Sequence, residues 1–293
     1  LYIVSGTLVA MSFGIASVVF NLYMLEVGFE EDFLGFFISI SLFAGGGMAL
    51  VAGLITDRSS RKRVTLAASA VSIVALLVQY TQTEPLLLLG SQVFAGLAGV
   101  FSGVALTPYI TDLTTSRERA HLFGVAGGLS LIALFTGNLL GGFLPKMLMH
   151  TVRVAATLEQ AYRQTLLISL VPMTLGALLI VPMSPDDSRV TTLGYGFDHV
   201  KNWEFIGKYT AVTATVGLGA GMIVMFFNVF FKGAFGVDET TIGVIFGINT
   251  IVLALGNFLA PALSDRLGKV RTVVVTEILS VPFLLMLSWA PSL

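Results

Sequence analysis

Long uninterrupted apolar stretches alternate with short polar breaks along the whole chain. Nine apolar runs stand out: 1–25, 33–56, 64–81, 86–113, 121–145, 165–183, 209–231, 241–264 and 272–289. A helix needs about 20 apolar residues to cross the hydrocarbon core of a bilayer. A chain in lipid must also satisfy its backbone hydrogen bonds within each segment. The runs therefore predict an all-α integral membrane protein. A membrane barrel would instead alternate apolar and polar positions over segments of about 10 residues, and that pattern is absent.

The polar breaks carry a pattern of their own. The turn after the second run, Asp57-Arg58-Ser59-Ser60-Arg61-Lys62-Arg63, packs four cations and one acid into a place with apolar sequence on both sides. The design returns as Asp265-Arg266-Leu267-Gly268-Lys269-Val270-Arg271, 208 residues on (265 − 57). Gly28 and Gly236 keep the same offset, as do Gly35 and Gly243, while Phe20-Asn21 and Phe227-Asn228 keep 207. A duplicated multi-helix unit explains this, and duplicated halves are frequent in secondary transporters.

Composition narrows the class. The chain is 55% apolar and 11% charged, against about 25% charged residues in an ordinary soluble domain. A net charge of −1 argues against a nucleic-acid partner. With no cysteine, disulfides, iron–sulfur clusters and cysteine catalysis are out of reach. Leu1 already lies in an apolar run with no basic segment before it, which reads as a clipped chain rather than a signal peptide.

Twelve of the sixteen cations fall on one side of the predicted spans: Arg58, Arg61, Lys62, Arg63, Arg117, Arg119, Arg189, Lys201, Lys208, Arg266, Lys269 and Arg271. Lys146, Arg153, Arg163 and Lys232 fall on the other, beside the acidic loop Glu26–Asp32. Cytoplasmic loops are the cation-rich ones, so the N-terminus and both charged turns are expected in the cytoplasm of a multi-pass cell-membrane protein. The stretch 184–208 divides the chain into a six-span bundle, 1–183, and a three-span remainder, 209–293. Residues 199–206 have the amphipathic character of a short interfacial helix. The link from Lys146 to Gln164 carries no recognisable chemistry. If the duplication is complete, about three helices of a twelve-helix protein are missing.

The turn Gly53-Leu54-Ile55-Thr56-Asp57-Arg58-Ser59-Ser60-Arg61-Lys62 resembles the signature G-x-x-x-D-R-x-G-R-R/K of the major facilitator superfamily, with Ser60 where Gly is usual. The second copy keeps Asp265, Arg266, Gly268 and Lys269, with Pro261 at the first Gly. The resemblance covers the whole chain. It implies two pseudo-symmetric six-helix bundles, here six plus three helices. It also implies that Asp57 gates the two halves through a charge network with Asp112, Arg58, Arg61 and Arg119. The plainer reading leaves Lys62 and Arg63 as topology anchors at lipid headgroups. Gly137-Asn138-Leu139-Leu140-Gly141-Gly142 looks like the end of the family's antiporter signature, with Asn138 replacing Pro; close helix packing by small residues fits it equally. Gln92 stands where the family usually has a span-four Arg.

By the same resemblance, spans one, four, seven and ten line a central cavity. Ser17, Asn21, Gln92, Asn138 and Asn228 are its candidate residues, and Ser17 and Asn21 share one helix face. Interhelical hydrogen bonding is the competing account of the asparagines. No acid lies deep in the cavity spans, which favours a neutral or amphiphilic small-molecule substrate.

The expected function is secondary active transport of a small organic solute by alternating access. A proton is the candidate coupling ion, and the span-five pattern leans slightly to efflux. The carrier is expected to be a monomer with no cofactor. A transporter-like sensor or a non-functional truncated carrier is the alternative. No G-x-x-x-x-G-K-S/T loop occurs, so ATP is not the direct energy source; a membrane enzyme is disfavoured, because His121, His150 and His199 are scattered and no H-E-x-x-H or G-x-S-G pattern occurs.

Overall fold

A computed structural model describes residues 1–184 and 202–289. Ten α-helices account for nearly all of them: α1 Tyr2–Glu26, α2 Glu31–Arg58, α3 Arg61–Thr81, α4 Pro85–Asp112, α5 Ser116–Lys146, α6 Leu158–Leu178, α7 Trp203–Ile223, α8 Phe227–Phe235, α9 Glu239–Leu267 and α10 Lys269–Trp289. No strand occurs among the described residues, and eight helical stretches are long and apolar enough to cross a membrane. Large side chains such as Phe43, Leu50 and Phe94 lie exposed on the outside. In water that surface would drive aggregation, whereas in a bilayer it meets chains as apolar as itself.

Alternating helix directions place the α2–α3 and α9–α10 turns at one end of the bundle, called here the basic end. The α1–α2 and α8–α9 turns lie at the far end. Two glycines with positive φ, Gly28 (107°) and Gly236 (63°), shape those far-end turns. They keep the 208-residue offset, and both take positive φ.

α1 is the axis of the first half. It buries Ile15, Val18, Val19, Leu22, Tyr23 and Met24 and packs mainly on α5 and α6. Apolar burial does not drive such packing in lipid; close approach through small residues does. A Cβ placed on Gly137 would lie 2.3 Å from Met11 O, and one on Gly141 would lie 2.5 Å from Ile15 O. α2, α3 and α4 form a second layer, and α6 bridges it to α1.

Three boundaries differ from the sequence pattern. α6 begins at Leu158 rather than 165, because Thr157 caps it (Gln160 N–H to Oγ1, 3.2 Å) and a Glu159–Arg163 pair (2.9 Å) supports its polar first turns. Its apolar run is cut short at the other end, where Lys62 Nζ donates to Val181 O (2.7 Å) and Met183 O (2.5 Å). Lys62 thus ties α3 to the end of α6, which the anchor reading does not capture. The run 209–231 is not one helix: α7 starts at Trp203 and gives way to a 3₁₀ turn at Val224–Phe226 before α8. Of the expected interfacial helix 199–206, residues 199–201 lie outside the described residues and 203–206 form the start of α7.

α9 is set by its N-cap. Asp238 Oδ1 accepts from Thr241 N–H (2.9 Å) and Oγ1 (2.6 Å). Those bonds hold the Asp238 carboxyl below the ordinary aspartate range. Its capping contribution is therefore present at neutral pH and fades only as pH falls through that lowered value.

Candidate functional site

Two groups of polar residues answer to the sequence expectations, one at each end. At the basic end the centre is Arg61, the first residue of α3. Its guanidinium pairs with Asp112, the last residue of α4, and lies 3.8 Å from Oδ1 of Asp57, at the end of α2. The Asp57 side chain is 69% exposed, so its share of this triad is weak, within about 1 kcal/mol for a solvent-facing pair. Arg119 is engaged differently: it donates to Thr111 O (3.0 Å) and Thr114 O (3.4 Å), satisfying carbonyls at the end of α4. Arg58 is exposed on the last turn of α2, and Gly53 has open space where a Cβ would stand. In the second copy Asp265 and Arg266 are exposed at the end of α9 and Lys269 opens α10. Gly268 (φ 82°) makes the turn between them.

The second group lies where the two halves touch. Asn21 Nδ2 donates to Asn228 Oδ1 at 2.9 Å, so the repeat-related asparagines meet each other. Asn21 Nδ2 also donates to Met225 O (2.6 Å), a carbonyl inside the 3₁₀ break. Non-helical backbone at membrane depth needs such a partner. Asn228 Nδ2 returns the contact to Val18 O (3.1 Å) and Ser17 O (3.3 Å). Ser17 Oγ reaches Asn138 Oδ1 (3.2 Å), and Asn138 Nδ2 donates to Thr250 Oγ1 on α9 (3.0 Å). Ser17, Asn21, Asn138 and Asn228 therefore form one chain, completed by Thr250. Gln92 is not part of it: it accepts from buried Gln79 on α3 (2.9 Å).

Glycine brings the halves together beside this chain. A Cβ on Gly243 would lie 2.6 Å from Asn138 O, and one on Gly142 would lie 2.6 Å from Glu239 O. Thr240 Oγ1 donates to Gly142 O (3.2 Å). Nearer the far end, the Tyr162 hydroxyl bonds to Glu239, and Lys232 Nζ reaches both Glu239 Oε1 (2.8 Å) and the Tyr162 hydroxyl (2.7 Å). Arg163 Nε donates to the Tyr23 hydroxyl (3.3 Å), so the first turns of α6, part of the link that is featureless in the pattern, join this end.

Among the described residues, every side-chain hydrogen bond between the first six helices and α7–α10 lies between the far end and Thr250. Thr250 stands about 16 Å along α9 at 1.5 Å per residue, near the middle of a hydrocarbon core about 30 Å thick. α9 is exposed along most of its length beyond Thr250, and α7 and α10 along nearly all of theirs. Among the described residues, the side-chain hydrogen bonds between the halves therefore lie on the far side of the midplane.

Thr250, Tyr162, Lys232 and Glu239 were not singled out by the sequence pattern. The one available signal was Glu239 standing 208 residues from Glu31 (239 − 31), inside the repeat.

Comparison with known proteins points to one fold family. The chain is 29% identical over 108 residues to the class C tetracycline resistance protein of Escherichia coli, covering 37% of this chain and 27% of that protein. It is 21% identical over 246 residues to the class H tetracycline resistance protein of Pasteurella multocida, covering 82% and 60% respectively. The chain thus spans 60% or less of the length of these relatives. Its fold is similar to that of a bacterial homolog of the human lysosomal transporter Spinster, solved in an inward-facing, unoccupied conformation (TM-score 0.65, 16% identity, 91% of this chain and 61% of that one). It is similar also to a D-xylose–proton symporter (TM-score 0.58, 14% identity, 90% and 68%). The sequence profile of the Major Facilitator Superfamily matches residues 2–293. The chain is a multi-pass membrane protein of the major facilitator superfamily.

Proposed function

We propose that this protein is a secondary carrier that moves a small organic solute by alternating access, with its basic end in the cytoplasm. The observation that carries the reading is the meeting of repeat-related Asn21 and Asn228 across the two halves. A far-end seal that ends near the midplane is one of the two states a rocking carrier needs. The orientation rests on the twelve cations that the sequence assigns to one side of the spans. The solute site falls below the polar chain of Ser17, Asn21, Asn138 and Asn228. That chain offers amide and hydroxyl groups and no charge, and so suits a neutral or amphiphilic solute. The tetracycline resistance relatives favour efflux, and the D-xylose–proton symporter favours a proton as coupling ion.

At the basic end, Asp57, Arg58, Arg61, Asp112 and Arg119 act as the opposing gate, with Gly53, Asp265, Arg266 and Lys269 on its two sides. Exposed Asp57 is the group free to exchange Arg61 for a contact with the second half when that end closes.

Two measurements test this. Reconstituted protein should take up or expel solute, and the flux should respond to an imposed pH gradient. Asp57→Asn should slow that flux about tenfold, the effect of roughly 1.4 kcal/mol on one state, while leaving membrane insertion intact. Flux unchanged by Asp57→Asn removes the gating role, and a flux indifferent to the gradient removes the proton.

A further inference from the structure

The far-end triad does more than close a gap. Lys232 and Glu239 belong to α8 and α9, whereas Tyr162 belongs to α6, so the Tyr162 hydroxyl is the group of the three that reaches across the halves. The Tyr162 ring is fully buried, and Lys232 Nζ stands 5.3 Å from its centroid. Glu239 is 17% exposed and accepts from both neighbours through Oε1. Beside the triad lies a cavity of about 260 Å³ lined by Leu22, Leu25, Glu26, Glu31, Val229 and Lys232. Its rim carries the exposed carboxylates Glu26 and Glu31, which raise the local concentration of cations, protons included.

We propose that Tyr162, Lys232 and Glu239 form a proton-operated latch, with Glu239 as the proton-binding group. This deepens the carrier reading and rests on it. The ionised carboxylate holds the Lys232 ammonium and the Tyr162 hydroxyl together, and charge-assisted bonds of this kind are the strong ones. A proton on Glu239 converts the carboxylate to a neutral acid, so the ammonium loses its counter-charge and the hydroxyl its anionic acceptor. Closing the far end and protonating Glu239 therefore compete. The turn that carries Glu239 also carries the close approach to Gly142 and the Thr240–Gly142 bond, so release of the latch acts directly on the α5–α9 contact.

The other charged groups around the triad are Asp238 next to Glu239 in the chain, Lys146 on α5, Arg163 and Glu159 on α6, Glu26 on α1 and Glu31 on α2. Arg163 and Glu159 pair with each other, and Asp238 is held by Thr241. α10 brings no titratable side chain in its outer half, residues 278–289. Glu239 is the carboxylate whose partners include a side chain of the opposite half.

The absence of native cysteines permits a direct test. A single cysteine at Ile242, which is fully buried beside the seal, is labelled in sealed proteoliposomes by a membrane-impermeant maleimide applied to the far-end face. Rates are normalised to free cysteine at each pH. The labelling rate should rise about tenfold between pH 8 and pH 3.5, with most of the rise below about pH 5, where a carboxylate released from the latch takes up its proton. Glu239→Gln should label fast at both values. Tyr162→Phe, which keeps the ring, should speed labelling at pH 8 and shrink the step. A pH step preserved in Glu239→Gln, or parent-like labelling of Tyr162→Phe at pH 8, overturns the latch. Solute flux that persists while the pH step is lacking removes the latch and leaves the carrier. A reporter never labelled from the far-end face under any condition, with no flux, removes the carrier itself.

Discussion

Gly142→Val and Gly243→Val proteins should fold and insert, yet fail to hold the far end closed. A Cβ at Gly243 would stand 2.6 Å from Asn138 O and 2.9 Å from the Gly142 Cα, and one at Gly142 would meet the Glu239 carbonyl and the Gly243 Cα. Those are backbone atoms, which cannot swing aside as a side chain does. Forced volume of this kind costs about 1–3 kcal/mol. Because α5 and α9 belong to different halves, that cost falls on the closed state alone. A shift of roughly 5- to 150-fold towards the far-end-open state follows, read as labelling of a buried cysteine such as Ile242→Cys. Gly137→Val and Gly141→Val supply the control. Their clashes, with Met11 O and Ile15 O, lie within the first half and persist in every state. They should lower melting temperature and yield without favouring either end. Equal effects from all four variants would mean that the α5–α9 contact is ordinary packing and not a seam that opens.

Asn228→Leu should weaken the same closure by removing its bonds to Asn21, Ser17 O and Val18 O. Interhelical hydrogen bonds in lipid contribute about 0.6 kcal/mol on average and up to about 1.7. Asn228 makes several, so loosening by roughly tenfold is expected. Asn21→Leu acts twice, because it also strips Met225 O of its donor in the 3₁₀ break. An unsatisfied carbonyl there costs about 1–3 kcal/mol, and α7–α8 should bend differently or take up water. The double variant should fall short of the sum, since both single changes remove one shared bond. Strict additivity in the closure equilibrium would show that the asparagines act separately and that their meeting is incidental.

Much of the fold could be read directly, for a physical reason. Lipid leaves a chain few ways to satisfy its backbone, so apolar runs of about 20 residues state their own conformation. The repeat was legible because Gly28 and Gly236 must both take positive φ, a demand that holds residue type in place. Boundaries set by polar detail were less legible. α6 starts early because Thr157 and the Glu159–Arg163 pair support a polar first turn, which hydropathy counts as loop. The break at Val224–Phe226 has no Pro or Gly within it to mark it; it exists because Asn21, 204 residues away, supplies a donor. Of the candidate site, Ser17, Asn21 and Asn228 stand out as polar residues in apolar runs and Asn138 through the span-five motif, and the structure brings all four together. Gln92 drew notice by the same rule, but bonds to Gln79 within its own half. A lone polar residue in a span predicts a partner without naming which helix holds it. Tyr162, Lys232 and Glu239 were passed over because each sits near a helix end, where polar residues are ordinary.

The claim beneath all of this is that two duplicated halves rock about a central seam. Paired spin labels measure it: Met147 with Asp238 across the far end, and Leu113 with Leu267 across the basic end. The account predicts two distance populations for each pair, with the far-end pair lengthening and the basic-end pair shortening together as pH falls or solute is added. A single, condition-independent distance at both ends would contradict it.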